Sequence, residues 1–461
     1  MTEHHDVVIV GAGPAGIFAG LELAQAGVER VLIVEKGPDL RQRNCPAREG
    51  KCTGCPSCNI MCGWGGAGAF SDGKLTLTGE VGGWLGDYVG SELLQELIRE
   101  TDTRWSEFGE KVDVVDPDAE IVTQLSRAAT LAEMTLTPMC IRHLGSDRSP
   151  GFLGAMRERL EEQGVKIRTR CPARKLVTSA GRVSGIELAD GEIIGAEAVI
   201  VAPGREGAEW LLRQALELGI SVSNNAVDIG VRVECPAPVM EPLTDHLYEA
   251  KLSYFSRSFG DRVRTFCMNP YGEVTTEHYG DVLTVNGHSL AGEKTANTNF
   301  AVLVSHSFTE PFREPITYGR SIARLANLLG EGILVQRLGD LRVGRRSTPK
   351  RLQESIVVPT LASATPGDLA AVLPYRHLTN ILEFLEALDE ITPGVAAPST
   401  LLYGVEVKFY SSRLELDSSL MTKVNGLFAI GDGAGVTRGL VQSSASGIVA
   451  ARGAIRLLRC R

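Results

Sequence analysis

Cys52-Thr53-Gly54-Cys55-Pro56-Ser57-Cys58-Asn59-Ile60-Met61-Cys62 sets four thiols in the spacing C-x2-C-x2-C-x3-C, which is the spacing of bacterial ferredoxin loops. Soft sulfur binds iron well, and two-residue spacers let successive sulfurs converge on one cubane without backbone strain. The chemistry expected is one-electron transfer at a [4Fe-4S] cluster. Cys45 lies just upstream and can replace one ligand, so four of the five residues Cys45, Cys52, Cys55, Cys58 and Cys62 are expected to bind metal. Four-thiolate zinc is the competitor, although structural zinc more often uses two C-x2-C knuckles about a dozen residues apart. Redox disulfides and free thiols stand behind both. Gly63 occupies the place of the usual ferredoxin proline.

Candidate proton donors lie elsewhere. His278 and His288, with Tyr279 and Asn286, fall in a glycine-containing, hairpin-like stretch and are candidates to protonate a reducible bond. Lys408 and Tyr410 alternate onto one face of a predicted strand. The bland alternative for each is an ordinary hydrogen-bonded or packed side chain. Arg345 and Arg346 suit either an anionic substrate or a surface carboxylate.

The elements that must position this chemistry begin at the N-terminus. Asp6-Val7-Val8-Ile9-Val10 reads as a buried parallel strand, and Gly11-Ala12-Gly13-Pro14-Ala15-Gly16 follows it, opening a helix that stops at Gly27. In this context G-x-G-x-x-G is a dinucleotide fingerprint. Gly11 makes the tight turn, Gly13 lets the backbone approach a pyrophosphate, and Gly16 lets helix pack on strand, while the helix start at Pro14 and Ala15 faces the negative charge. A second strand, Val31 to Val34, ends in Glu35 and Lys36, and a carboxylate at that point accepts from ribose hydroxyls. The fingerprint alone does not separate FAD from NAD. A second G-x-G-x-x-G after a strand is not found.

The chain has 461 residues, with 47 basic and 56 acidic side chains and a net charge of −9. No basic tract marks a nucleic-acid surface, and no apolar run approaches the ~18 residues of a membrane span. With no signal-like start, a cytoplasmic location is expected. Of the ten cysteines, Cys140, Cys171, Cys235, Cys267 and Cys460 are scattered and read as structural or incidental.

Two further stretches carry a resemblance. Val424-Asn425-Gly426-Leu427-Phe428-Ala429-Ile430-Gly431-Asp432, running through Gly439, Leu440 and Val441 into a helix, resembles the second FAD motif of the glutathione-reductase and hydroxybenzoate-hydroxylase superfamily. Glu197 to Arg205, with Gly204, looks like the strand-turn closing that superfamily's β-meander. The resemblance implies FAD, with Asp432 on the ribityl chain and the following helix N-terminus stabilising the anionic reduced flavin. It also implies that Arg43, with Arg41, reaches the FAD pyrophosphate; the alternative is a solvated basic loop. Adding the loop Gly63-Trp64-Gly65-Gly66-Ala67-Gly68-Ala69-Phe70-Ser71-Asp72-Gly73-Lys74, too glycine-rich for a helix or strand, the chain resembles the uncharacterised bacterial and archaeal FAD-dependent dehydrogenase family over nearly its whole length, and more remotely geranylgeranyl reductases. This implies that Gly65, Gly66, Ala67 and Gly68 lie against the flavin, with Lys74 its ionisable neighbour.

The fold expected is α/β, a Rossmann-type FAD-binding domain built from the discontinuous segments 1–84, 143–206 and 398–461. Residues 85–142 are read as a small insertion and 207–397 as an inserted mixed α+β substrate or cap domain. The function expected is FAD-dependent oxidation or reduction of a small organic substrate, with a ferredoxin-like or NAD(P)H electron donor. The rivals are an NAD(P)H-fed C=C reductase with zinc or idle cysteines, and an electron-transfer flavoprotein subunit serving a protein partner.

Overall fold

Val7, Val8, Ile9 and Val10 are all buried, as consecutive apolar residues are when a parallel strand is covered on both faces. They belong to the strand His4–Val10. The computed structural model describes residues 3–45, 55, 57–70, 73–145, 148–223, 225–247, 249–279, 281–288, 294–306, 314–408 and 412–460. The chain divides into a first unit of Met1–Val115, Cys140–Asn225 and Ser411–Arg461, and a second of Asp116–Met139 and Ala226–Tyr410.

The first unit is built on a seven-stranded sheet in the order Lys166–Arg168, Val31–Val34, His4–Val10, Ile193–Val201, Arg182–Leu188, Ala173–Ser179, with Leu427–Ala429 also joined to Ile193–Val201. The first four of these strands and Leu427–Ala429 run parallel. The remainder is the expected antiparallel meander, turning at Ala180-Gly181, where both residues have positive φ. Helices Pro14–Gln25 and Leu440–Arg459 pack closely, because Gly447 leaves room for the carbonyl of Ala15, which a Cβ would approach to 2.2 Å. A small sheet of Lys74–Thr76, Ile141–His143 and Val114–Val115 completes the unit.

The second unit is a mostly antiparallel eight-stranded sheet with its own core. Its inner strands Leu401–Lys408, Val227–Pro236 and Asn297–His306 are almost wholly buried. Helices Pro315–Gly330 and Tyr375–Asp389 present apolar faces to it. A hairpin, Glu273–Tyr279 with Val282–His288, forms a separate two-stranded sheet.

The segment boundaries differ from those expected, for identifiable reasons. Helix Ala208–Glu217 is held in the first unit, where Gln214 accepts from the amide of Leu176 at 2.7 Å, so the second unit begins at Ala226 instead of 207. At the other end, Leu401–Lys408 is an inner strand paired to Val227–Pro236, which carries the second unit past 398 to Tyr410. The stretch 85–142, expected as one insertion, is shared between the units. Among the described residues no helix is long and apolar enough to cross a membrane.

Candidate cofactor site

The carboxyl ends of four parallel strands in the first unit lie level. Val10 pairs with both Val34 and Val201, and Val201 pairs with Ala429. Open α/β sheets bind ligands outside this edge. The turns that follow approach one another so closely that side chains are excluded. A Cβ on Gly11 would lie 2.1 Å from the carbonyl oxygen of Ala202, one on Gly16 1.9 Å from that of Gly11, and one on Gly433 2.4 Å from that of Gly204. Gly11 also has φ +109°, a region that favours glycine.

Other glycines here face open space, as a cradle for a ligand requires. Nothing lies within 4 Å of a Cβ on Gly204 or Gly439, and the nearest atom to one on Gly13 is the Cα of Gly66 at 3.9 Å. Gly13 and Gly439 stand at the starts of helices Pro14–Gln25 and Leu440–Arg459, and among the described residues neither start has a side-chain cap. Their first N–H groups are available to an anion or a carbonyl oxygen. Asp432 begins the single 3-10 turn Asp432–Ala434 and accepts from Thr437 Oγ1 at 2.9 Å. Burial pushes its carboxyl up, opposed by Arg205, the Thr437 hydroxyl and Arg438. The Arg438 guanidinium stacks on Trp84, 3.9 Å from the ring centre.

Glu35 and Arg43 tie the neighbouring loops to this edge. The Glu35 carboxylate is buried and accepts three amides, from Ala12 at 2.9 Å, Gly37 at 2.8 Å and Gly63 at 2.9 Å. The glycine-rich loop lies on the fingerprint, with the Gly65 amide donating to Ala12 at 2.8 Å. That bond and the Arg43 contacts hold Gly66–Phe70 as a short 3-10 helix where no helix was expected.

Residues 6–49 match the FAD binding domain family, and residues 226–409, the long segment of the second unit, match the family described as FAD-dependent protein, C-terminal domain-like. Both families are described by FAD, and FAD is the cofactor they support for this chain. An uncharacterized protein of Clostridium beijerinckii is 29% identical over 470 residues, covering 96% of this chain and 79% of that one. Among solved structures, 3-ketosteroid-Δ4-(5α)-dehydrogenase of Rhodococcus jostii is 14% identical with TM-score 0.46, covering 98% of this chain and 97% of that one. A geranylgeranyl bacteriochlorophyll reductase-like protein of Thermoplasma acidophilum is 12% identical with TM-score 0.40, covering 100% and 80%. Likenesses of this size say nothing about substrate.

In this flavoprotein Arg43 does not present a free guanidinium as the pyrophosphate reading expected. Four of its N–H groups go to loop carbonyls, those of Asn59, Ile60, Trp64 and Gly66. Lys36 pairs with Glu206 at 2.9 Å; burial works against its charge, but Glu206 and the nearby Cys62 and Glu35 raise its pKa.

Among the described residues Cys45, Cys55, Cys58 and Cys62 form no disulfide, and Cys52 lies outside the described residues. Cys58 and Cys62 bracket one helical turn, closed by the Cys62 amide on the Cys58 carbonyl at 2.8 Å. Burial pushes the Cys62 thiol up to about 11, with Lys36 pulling the other way. Among the described residues, no three Cys, His, Asp or Glu side chains are gathered as a metal site. As they stand, the four described thiols do not make a ligand set for a cluster or for zinc.

The candidate proton donors fall on different elements. Lys74 is half-buried in the first unit, opposite His143. His278 and His288 are exposed in the second unit, and the hairpin register sets His278 against Leu283 and His288 against Glu273, near opposite ends of the strands. Tyr410 lies outside the described residues. Lys408 is buried and committed to Glu277 at 3.2 Å and Glu406 at 3.3 Å. Burial opposes its charge, but the two carboxylates more than offset this and hold the ammonium well above the ordinary lysine range. Such a group is a poor proton donor near neutrality. Arg345 pairs with Asp340 at 2.7 Å.

Sequence reasoning missed Arg232, which lies fully buried beside the hairpin. It meets Glu406 at 3.0 Å and donates to the carbonyl of Cys267 at 2.7 Å and to Asn286 at 2.8 Å. The signal was available, since an arginine in the apolar run from Val227 to Val233 needs a buried partner.

Proposed function

We propose that this chain is an FAD-dependent oxidoreductase that transfers hydride between the flavin and a small organic substrate, and that its cysteine loop carries an iron–sulfur cluster in electronic contact with the flavin. The observation that carries the first part is the level row of strand ends, Val10, Val34, Val201 and Ala429, with open glycine turns and uncapped helix starts beyond them. FAD, when bound, supplies a hydride acceptor and donor at N5. The protein's part is to bind, orient and shield.

In this reading Gly11, Gly13 and Gly16, with the helix start at Pro14 and Ala15, hold the pyrophosphate. Glu35 reaches the adenosine ribose from its place at the end of Val31–Val34. Gly204, Gly431 and Asp432 follow the ribityl chain. The free N–H groups after Gly439, at Leu440 and Val441, face the ring end that gains negative charge on reduction. The loop from Gly65 through Ala67 to Gly68 excludes water from one side of the ring, with Lys74 on the strand that follows it.

The cluster part is supported by the ferredoxin spacing and by the bonding of the loop's end to the fingerprint through Glu35. Loading requires the thiols to converge. Purification under anaerobic conditions tests both parts: FAD with about four irons and matching acid-labile sulfide per chain is expected. FAD without iron or sulfide removes the cluster, and a protein that takes up no FAD removes the whole reading. Rapid flavin bleaching by NAD(P)H alone would identify that nucleotide as the electron donor; bleaching only on adding reduced ferredoxin would identify a protein donor.

A further inference from the structure

Arg43 is nearly inaccessible, with 7% of its surface exposed, and its hydrogen bonds fall into two pairs. Nε donates to the carbonyl of Asn59 at 2.8 Å and Nη2 to that of Ile60 at 2.7 Å, both between Cys58 and Cys62. Nη1 donates to the carbonyls of Trp64 at 2.7 Å and Gly66 at 2.8 Å, both in the glycine-rich loop. The guanidinium also lies 4.7 Å from the centre of the Phe70 ring. Burial lowers its pKa to about 10, so it stays charged near neutral pH. A planar cation with fixed donors holds carbonyls in one geometry, and a shift of one pair strains the other.

The second pair leads directly to the cofactor edge. A Cβ on Gly66 would lie 3.0 Å from the Cα of Gly13, and the Gly65 amide is bonded to Ala12. Between the two pairs, Gly63 leaves no slack. Its amide is on Glu35, and a Cβ there would meet the Pro38 carbonyl oxygen at 2.5 Å and Arg43 Cδ at 2.8 Å. The chain from Asn59 to Gly66 is therefore fastened at both ends to one side chain and at its middle to the carboxylate that also holds the fingerprint turn.

We propose that Arg43 is a positioning residue that couples the state of the cysteine loop to FAD affinity: thiol modification at Cys55 and Cys58 is transmitted through the Asn59 and Ile60 carbonyls to Gly66 and Gly13. The inference rests on the reading that FAD lies against Gly13 and Gly66. Cys55 is exposed and Cys58 half-buried, so both are open to reagent.

The test measures FAD dissociation by flavin fluorescence in the full chain, before and after iodoacetamide, for wild type, Arg43→Gln, Arg43→Lys and the double variant Cys55→Ser/Cys58→Ser. Alkylated wild type should bind FAD at least about fivefold more weakly, the lower end of typical coupling factors. The double serine variant should not respond to the reagent. Arg43→Gln should bind FAD weakly from the start and gain no further loss on alkylation. Arg43→Lys should behave likewise, because one ammonium cannot span four carbonyls, and it carries the test if the glutamine variant does not fold. Equal losses in wild type and the Arg43 variants, or no loss in alkylated wild type, would overturn the coupling. A wild type that binds no FAD would instead overturn the reading beneath it.

Discussion

The amide of Gly63 donates to Oε1 of Glu35 at 2.9 Å, joining the residue after the last cysteine of the run to the carboxylate that ends the second parallel strand. Oε1 also accepts the Gly37 amide and Oε2 the Ala12 amide. One buried carboxylate thus fixes the fingerprint turn, the strand end and the exit of the cysteine loop together. Glutamate, and not glutamine, suits three amide donors, since an amide side chain would turn its own N–H toward one of them. Glu35→Gln is expected to cost about 1–3 kcal/mol of stability and to weaken FAD binding about tenfold or more. Urea unfolding with and without FAD, beside a fluorescence titration, measures both. A variant that matches wild type in each would show that the three amide bonds are dispensable.

Asp432 sits in the turn between the strand Leu427–Ala429 and the helix Leu440–Arg459, held by the Thr437 hydroxyl. Replacing it with alanine removes the acceptor while leaving the glycine turns on either side intact. The expected outcome is a folded protein with most of its yellow colour lost. Flavin content per chain after purification is the measurement, and full occupancy would refute the assignment of Asp432 to the cofactor.

The crossing of helices Pro14–Gln25 and Leu440–Arg459 tolerates no side chain at Gly447. A Cβ there would lie 2.2 Å from the Ala15 carbonyl oxygen and 2.9 Å from the Ala19 nitrogen, which are backbone atoms and cannot rotate away. Both helices begin at the cofactor edge, so separating them also moves their free N–H groups. Gly447→Ala should cost about 1–3 kcal/mol or more and reduce FAD occupancy, read as a lower melting temperature and a lower flavin-to-protein ratio. A variant as stable and as fully flavinylated as wild type would contradict the close crossing.

How far this was legible from residues alone depended on sequence distance. The strand–turn–helix at Val10 to Gly16 follows local periodicity and turn chemistry, and it stands where expected. The bounds of the second unit were not legible, because they depend on Gln214 reaching back to Leu176 and on Leu401–Lys408 pairing with Val227–Pro236. The partners of Arg43 were hidden for a similar reason: they are carbonyls of a loop, and carbonyls have no sequence signature. His278 and His288 are close in sequence, yet the register of the hairpin parts them.

Buried charge in the second unit gives a sharper stability test. Glu406 is fully buried between Arg232 at 3.0 Å and Lys408 at 3.3 Å, and Glu277 completes the group on Lys408. Taking one charge out of such a set leaves its partners desolvated and underpaired. Glu406→Gln should therefore destabilise the chain by about 3–5 kcal/mol, visible as a lower denaturant midpoint. Replacing Arg232, Glu406 and Lys408 together with apolar residues should cost less than Glu406→Gln does. A single variant with an unchanged midpoint would show that the charges are not coupled.

His377 makes the chain's stability depend on pH with a definite sign. Its ring is fully buried, neither nitrogen has a hydrogen-bond partner among the described residues, and it stacks on His306 with ring centres 5.3 Å apart. Burial lowers its pKa from 6.5 to about 4, with His306 and Arg376 acting the same way and Asp261 opposing them. Between those values the unfolded chain holds a proton that the folded chain refuses, so the unfolded state is favoured as acid is added. Stability from this group is complete above about pH 6.5 and is lost progressively toward pH 4, a span on the order of 3 kcal/mol. Phenylalanine at 377 keeps the stacking and removes the titration. Unfolding free energy measured from pH 7.5 to 4.5 should fall more steeply in wild type than in His377→Phe, with the residual slope of the variant coming in part from His306, whose pKa burial also lowers. Parallel slopes would mean that the ring takes up its proton without cost in the folded chain.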